Sequence, residues 1–97
     1  MVDLAFEWDE NKNKINQKKH GVSFEEAKSV FLDDLARLIP DPDHSIGEER
    51  FILMGLSKKY RLLTVCHCER NGNTIRIISA RKADKFETKQ YEGGNYA

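Results

Sequence analysis

The chain has 97 residues, of which 39% are hydrophobic, 9% aromatic and 33% charged, with 16 basic and 16 acidic side chains in formal balance. That length supports one domain with a modest core, and the plentiful apolar residues beside only six glycines and two prolines exclude disordered and collagen-like chains. No apolar run approaches the roughly 18 residues that cross a bilayer, and the start, Met1-Val2-Asp3-Leu4-Ala5-Phe6-Glu7, lacks the flank and stretch of an export signal, so a cytoplasmic protein with no membrane partner is expected.

Leu4, Phe6 and Trp8 alternate with polar or small neighbours, the period of a short strand with one buried face. Asp9 then caps a helix over 10–19 that Gly21 stops. Ile15 is its only large apolar residue among Lys12, Lys14, Lys18 and Lys19, so packing must hold this helix in place. Ser23 and Glu26 read as a capping box, in which the Ser23 hydroxyl accepts from the Glu26 amide and Glu26 reaches back. Phe24, Ala27, Val30 and Phe31 form one apolar stripe, and burying each large side chain is worth roughly 1.5–3 kcal/mol. From there strands take over. A short one at 35–39 ends at Pro40-Asp41-Pro42-Asp43, and three more lie at 51–56, 61–69 and 74–80, joined by hairpin-length connectors. A helix over 81–91 follows, with Ala83, Phe86 and Tyr91 inward and Ser79 as a candidate cap. The expectation is an α+β fold: an N-terminal strand, two helices, an antiparallel β-meander sheet and a C-terminal helix. Residues 1–92 form a single domain in this reading, and 93–97 a flexible tail.

Asn71-Gly72 is a strong two-residue hairpin signal, and that turn would set His67 opposite Arg76. One face would then carry Leu63, Val65, His67 and Glu69 with Thr74, Arg76 and Ile78. The other, with Leu62, Thr64, Cys66, Cys68, Ile75, Ile77 and Ser79, is the more apolar and is assigned to the core. Cys66-His67-Cys68 has neither the spacing nor the strand geometry of a metal motif, so the cysteines read as core thiols. Asp41, Asp43, His44, Glu48 and Glu49 form an acidic loop without ligand spacing, and neither metal nor cofactor is expected.

The basic residues carry more. Residues 1–49 hold 12 acids and 6 bases, a balance of −6, whereas residues 50–97 hold 4 acids and 10 bases, a balance of +6. Arg50, Arg61, Arg70, Arg76, Arg81 and Lys82 lie in the basic half, with Lys85 and Lys89 read as a solvated face. Arg76 sits among Ile75, Ile77 and Ile78, where a half-buried guanidinium requires a carboxylate or an anionic ligand. With Arg61 on the same expected face and Arg81 at its end, three guanidiniums would suit a phosphodiester, unless internal ion pairs lock them. Beside a guanidinium, His67 would have its charged form disfavoured and serve as a neutral base, whereas Glu69 two positions along would favour the imidazolium.

Phe6-Glu7-Trp8-Asp9, Lys19-His20-Gly21-Val22-Ser23-Phe24-Glu25-Glu26-Ala27 and Ile75-Arg76-Ile77-Ile78-Ser79-Ala80-Arg81-Lys82-Ala83 resemble the corresponding stretches of BrnT-type toxins, as do segments between them, from residue 6 to residue 92. The resemblance implies a RelE-like ribonuclease fold and the toxin half of a type II toxin–antitoxin pair. It implies RNA as substrate, a BrnA-like antitoxin as partner, and operator DNA bound only through that antitoxin, so that the pair represses its own operon. Arg61, Arg76 and Arg81 fall at motif positions as catalytic candidates, and His67 is a proton-transfer candidate; Arg50, Arg70 and Lys82 are candidates for RNA contact. The reaction expected is metal-independent RNA cleavage that inhibits translation. The alternative is a non-catalytic co-repressor module that binds the antitoxin and touches nucleic acid only electrostatically.

Overall fold

A computed structural model of the chain describes residues 4–41 and 47–93. The hairpin forms from β4 (Leu62–Arg70) and β5 (Thr74–Lys82), paired antiparallel. To one side β3 (Phe51–Leu56) pairs with β4 and β2 (Arg37–Pro40) pairs with β3, completing the expected meander. Pro40 lies in the edge strand, where a missing N–H is tolerated. To the other side β1 (Ala5–Glu7) adds parallel to β5, giving the order β1-β5-β4-β3-β2.

Helix α1 (Glu10–His20) begins where Asp9 accepts hydrogen bonds from the Asn11 and Lys12 amides, at 2.8 and 3.2 Å. It ends at Gly21, whose φ of 69° is costly for any residue with a Cβ. Ile15 is 64% exposed, and the residues this helix buries are Asn13 and Asn16. Asn16 does the work of a missing strand: its amide donates to the Val22 and Ala80 carbonyls, both at 2.8 Å, and accepts from the Ala80 N–H at 3.1 Å. Since β1 pairs only with residues 74–76, the backbone of β5 beyond that point would otherwise have an open edge.

Helix α2 (Phe24–Ser29) runs into a 3₁₀ turn, Val30–Leu32, and the Ser23 hydroxyl accepts from the Glu26 amide at 3.0 Å. Glu26 does not reach back, as the capping-box reading expected, but turns into the protein. The reciprocal box occurs instead at α3 (Lys85–Gly93), where Asp84 accepts from the Glu87 amide at 2.8 Å and Glu87 from the Asp84 amide at 3.0 Å. Because β5 continues to Lys82, Ser79 is a strand residue rather than a cap. Tyr91 is buried as expected, but Phe86 is 69% exposed.

The hairpin register departs from expectation by one residue. Asn71 and Gly72 both adopt left-handed conformations, the loop spans three residues, and Arg70 pairs with Thr74. A one-residue slip reverses every side chain of a strand relative to its partner. The core therefore takes Leu63 and Val65 from β4, not Leu62 and Thr64, while Ile75 and Ile77 point inward as expected. Val22, Phe24, Ala27 and Val30 cover them from α2 and its flanks. The expected acidic loop falls partly, at Asp43 and His44, outside the described residues, as do the tail residues after Gly93.

Candidate functional site

The sheet face away from α1 and α2 carries the chain's most unusual placement of charge. Arg76 and Arg81 are five residues apart, and in a regular strand an odd separation sends side chains to opposite faces. Between them the ladder shifts: Cys66 pairs with Ser79 but His67 with Ile77, leaving Ile78 as the extra residue of a bulge. The bulge returns Arg81 to the face of Arg76. Along this face run two rows of partners, Arg37, Met54, Thr64 and Arg81 in one, and Ile39, Ile52, Cys66 and Ser79 in the next. Beyond them Cys68, Arg76 and Glu7 are aligned by the β4–β5 and β1–β5 pairings.

Helix α3 covers the first row. Glu87 receives two hydrogen bonds from Arg81, at 2.7 and 2.8 Å, and Arg37 donates to the Gln90 carbonyl at 2.7 Å. Met54 and Thr64 are buried beneath. The Arg81 guanidinium, through its hydrogen bonds, holds the Glu87 carboxyl below the usual carboxylate range. Arg81 is thus held in a fork, with 43% of its side chain still exposed.

Arg76 lies on the part of this face that α3 does not cover. Its Nη1 donates to Glu7 at 2.9 Å through one nitrogen, and both side chains are part-exposed. A single-point, solvent-accessible pair of this kind is worth about 0–1 kcal/mol and opens readily to a competing anion. Arg70 shares the face at the hairpin tip and is exposed, while Arg50 is half-buried near Cys66. Burial pushes the Cys66 and Cys68 thiols up, which favours their protonated form at neutral pH. Among the described residues no three His, Cys, Asp or Glu side chains gather as metal ligands would.

The remaining candidates lie elsewhere. Arg61 is on the helix side: its Nε donates to Glu26 at 2.8 Å, its Nη2 to the other Glu26 oxygen and, at 3.0 Å, to the Gly21 carbonyl. Glu26 is buried and also accepts from the Ser57 hydroxyl at 2.7 Å, so Arg61 neutralises an internal carboxylate. This corrects the expectation of three guanidiniums on one face. Lys82, opposite Leu63, likewise belongs to the helix side.

His67 requires the same correction. The register puts it opposite Ile77, not Arg76, and it is only 2% exposed, with its ring edge-on to Phe31 at 4.9 Å. Burial pushes its imidazole below the ordinary histidine value, which makes it a neutral core residue without access to a substrate. The slipped hairpin is the physical reason for both errors of face. Glu7 and Glu87, the acidic members of the two pairs, escaped the sequence reading. Glu7 meets Arg76 through a parallel pairing 69 residues apart in the chain, whereas the spacing Asp84-x-x-Glu87 at a helix start was legible.

The model of the family described as "Ribonuclease toxin, BrnT, of type II toxin-antitoxin system" matches residues 8–87. The crystal structure of the Brucella abortus ribonuclease toxin BrnT superposes with a TM-score of 0.64 at 21% identity, over 88% of this chain and 100% of that one, and so shares the fold. No curated protein matches. With a family match over most of its length and the same α+β architecture, the chain belongs to the BrnT family of ribonuclease toxins of type II toxin–antitoxin systems.

Proposed function

We propose that this chain is a metal-independent endoribonuclease that cleaves RNA on the open sheet face, with Arg76 gripping the scissile phosphate. In this reading the ribose 2′-hydroxyl attacks the adjacent phosphorus, the bond to the 5′-oxygen breaks, and a 2′,3′-cyclic phosphate and a 5′-hydroxyl result. Glu7, released from Arg76 as the phosphate takes its place, accepts the 2′-hydroxyl proton, and solvent water protonates the departing oxygen. Arg76 stabilises the added charge on the phosphorane-like transition state. Arg81 and Arg70 position the flanking strand, Arg81 keeping its geometry through Glu87. The placement of Arg76 and Arg81 on one face by the bulge supports this reading most directly. Arg61 and His67 have no part in it.

As a toxin of a type II pair, the chain is proposed to act in the cytoplasm against translation, to be neutralised by a BrnA-like DNA-binding antitoxin, and to repress its operon only with that partner. The test is incubation of purified chain with defined RNA in EDTA, with analysis of the new ends. The parent is expected to generate cyclic phosphates, and Arg76→Ala and Glu7→Gln to cut about 10²–10³-fold more slowly. An Arg76→Ala variant as fast as the parent would refute the assignment. One observation favours the non-catalytic alternative: Arg81 already has a bidentate internal partner. A chain that binds RNA in a salt-dependent way but never cuts it, ribosomes included, would be a co-repressor module instead.

A further inference from the structure

We propose that Lys12, Lys19 and His20 of α1 form, with Ile15 and Ile78, a second subsite for the RNA strand, reached from the Arg76–Arg81 face across the edge of β5. The inference takes its ligand from the ribonuclease reading above; its geometry is independent of it. A shallow pocket of about 190 Å³ lies where α1 crosses the bulge, and these five residues line it together with Asn16 and Ser79. Among the described residues no carboxylate contributes to the lining. The acid in the first turn of α1, Glu10, is engaged by the Trp8 indole at 3.1 Å and the Asn13 amide at 2.8 Å, away from the lysines.

The floor is equally specific. Ile15 is the largest apolar side chain of α1 and stands in solvent instead of the core, and Ile78 is the residue the bulge leaves unpaired. The Asn16 amide beneath is fully occupied by the backbone of Val22 and Ala80, so it makes no polar demand of its own. An apolar floor beside two lysines suits a nucleotide: the phosphate meets the ammonium groups and the sugar or base covers the isoleucines. Ser79 joins the two regions, since it lines the pocket and pairs with Cys66 in the row between Arg76 and Arg81. One feature, the bulge, thus aligns the two arginines and opens the route to α1. A helix this basic, with no large apolar residue buried, is then accounted for as one that packs through Asn13 and Asn16 and turns its lysines to a ligand.

The test uses the full chain and a 2′-O-methyl single-stranded RNA, which cannot be cut. Binding is followed by fluorescence anisotropy over a salt series, with circular dichroism to verify that each variant is folded. Lys12→Ala/Lys19→Ala is expected to weaken binding on the order of tenfold at physiological salt and to reduce the salt slope by about 1.4, two single-strand phosphate contacts. Lys58→Ala/Lys59→Ala, which removes two exposed lysines elsewhere, is expected to change neither by half as much. Equal losses in both variants would mean a general charge effect, and no loss in the first would mean no subsite; either overturns the proposal. A parent that binds this RNA as described yet never cleaves the cuttable RNA refutes the catalytic reading and leaves the subsite standing. A parent that does not bind RNA ends both.

Discussion

Glu26 is the residue on which the helix side of the molecule turns. A carboxylate in the interior is tolerated only with its oxygens satisfied, and Arg61 and Ser57 supply the partners. Arg61, through its hydrogen bonds, holds Glu26 below the ordinary carboxylate range despite its burial. Arg61→Ala leaves that charge inside with only the Ser57 hydroxyl, and a loss of about 3–5 kcal/mol is expected in urea unfolding. A loss below about 1 kcal/mol would show that the pair is dispensable. His67 makes the opposite prediction. His67→Leu keeps the volume and removes a buried polar ring, so the variant is expected to be as stable as the parent and to cut RNA at the parental rate. Abolished cleavage in a folded His67→Leu protein would return the histidine to the catalytic site. Both Arg61 and His67 stood out in the sequence as chemically able residues. What the sequence did not carry was their partners, because Glu26 is 35 residues from Arg61 and the ring of Phe31 is 36 from His67.

At the scale of elements, the local signals were dependable wherever the backbone chemistry is local. Asp9 and Gly21 bound α1, Ser23 opens α2, and the meander strands fall within a few residues of their expected places. The failures lie where two strands must choose a register. Asn71-Gly72 promised a two-residue turn, and the three-residue loop reversed β4. No local signal marked the bulge at Ile78 or the role of Asn16, which both depend on a neighbouring element. Asn16 ties α1 to β5, and Asn16→Leu would leave the Ala80 N–H and two carbonyls without their partner. A cost of about 2–4 kcal/mol is expected, with faster amide exchange at Ala80 than at Val65. Exchange at Ala80 as slow as in the parent would mean that water or another group replaces the asparagine.

Across the whole molecule, stability should form a plateau in pH with distinct limbs. Glu26 and Glu87 have folded values depressed from 4.5 and Asp33 from 3.8, so their contribution is present above those values and lost as pH falls through the depressed ones. His67, depressed from 6.5 by burial, adds a loss that begins as pH falls below 6.5. On the alkaline side Tyr91 is pushed up to about 12 by burial and by its 2.6 Å hydrogen bond to Asp33. A raised value contributes below pH 10 and is lost as pH rises from 10 to about 12, a range in which roughly 2–3 kcal/mol disappears. Cys66 and Cys68, raised from 9.0 by burial, add a loss that begins above pH 9. Urea midpoints measured against pH should therefore show a larger alkaline limb in the parent than in Tyr91→Phe; a limb of equal size in both would place the titration elsewhere.

The sequence by itself determined the α+β class, both ends of α1, the start of α2, the meander and the family, because periodicity, caps and motif residues are properties of neighbouring positions. It also singled out Arg76, since an arginine within an apolar strand demands an anion wherever the strand lies, and Arg81 by its motif position. Only the tertiary structure decided which face each side chain occupies and which carboxylate each arginine meets. Those outcomes follow from strand register, a bulge and a parallel pairing between the two ends of the chain, and a single residue of slip is enough to exchange core for surface.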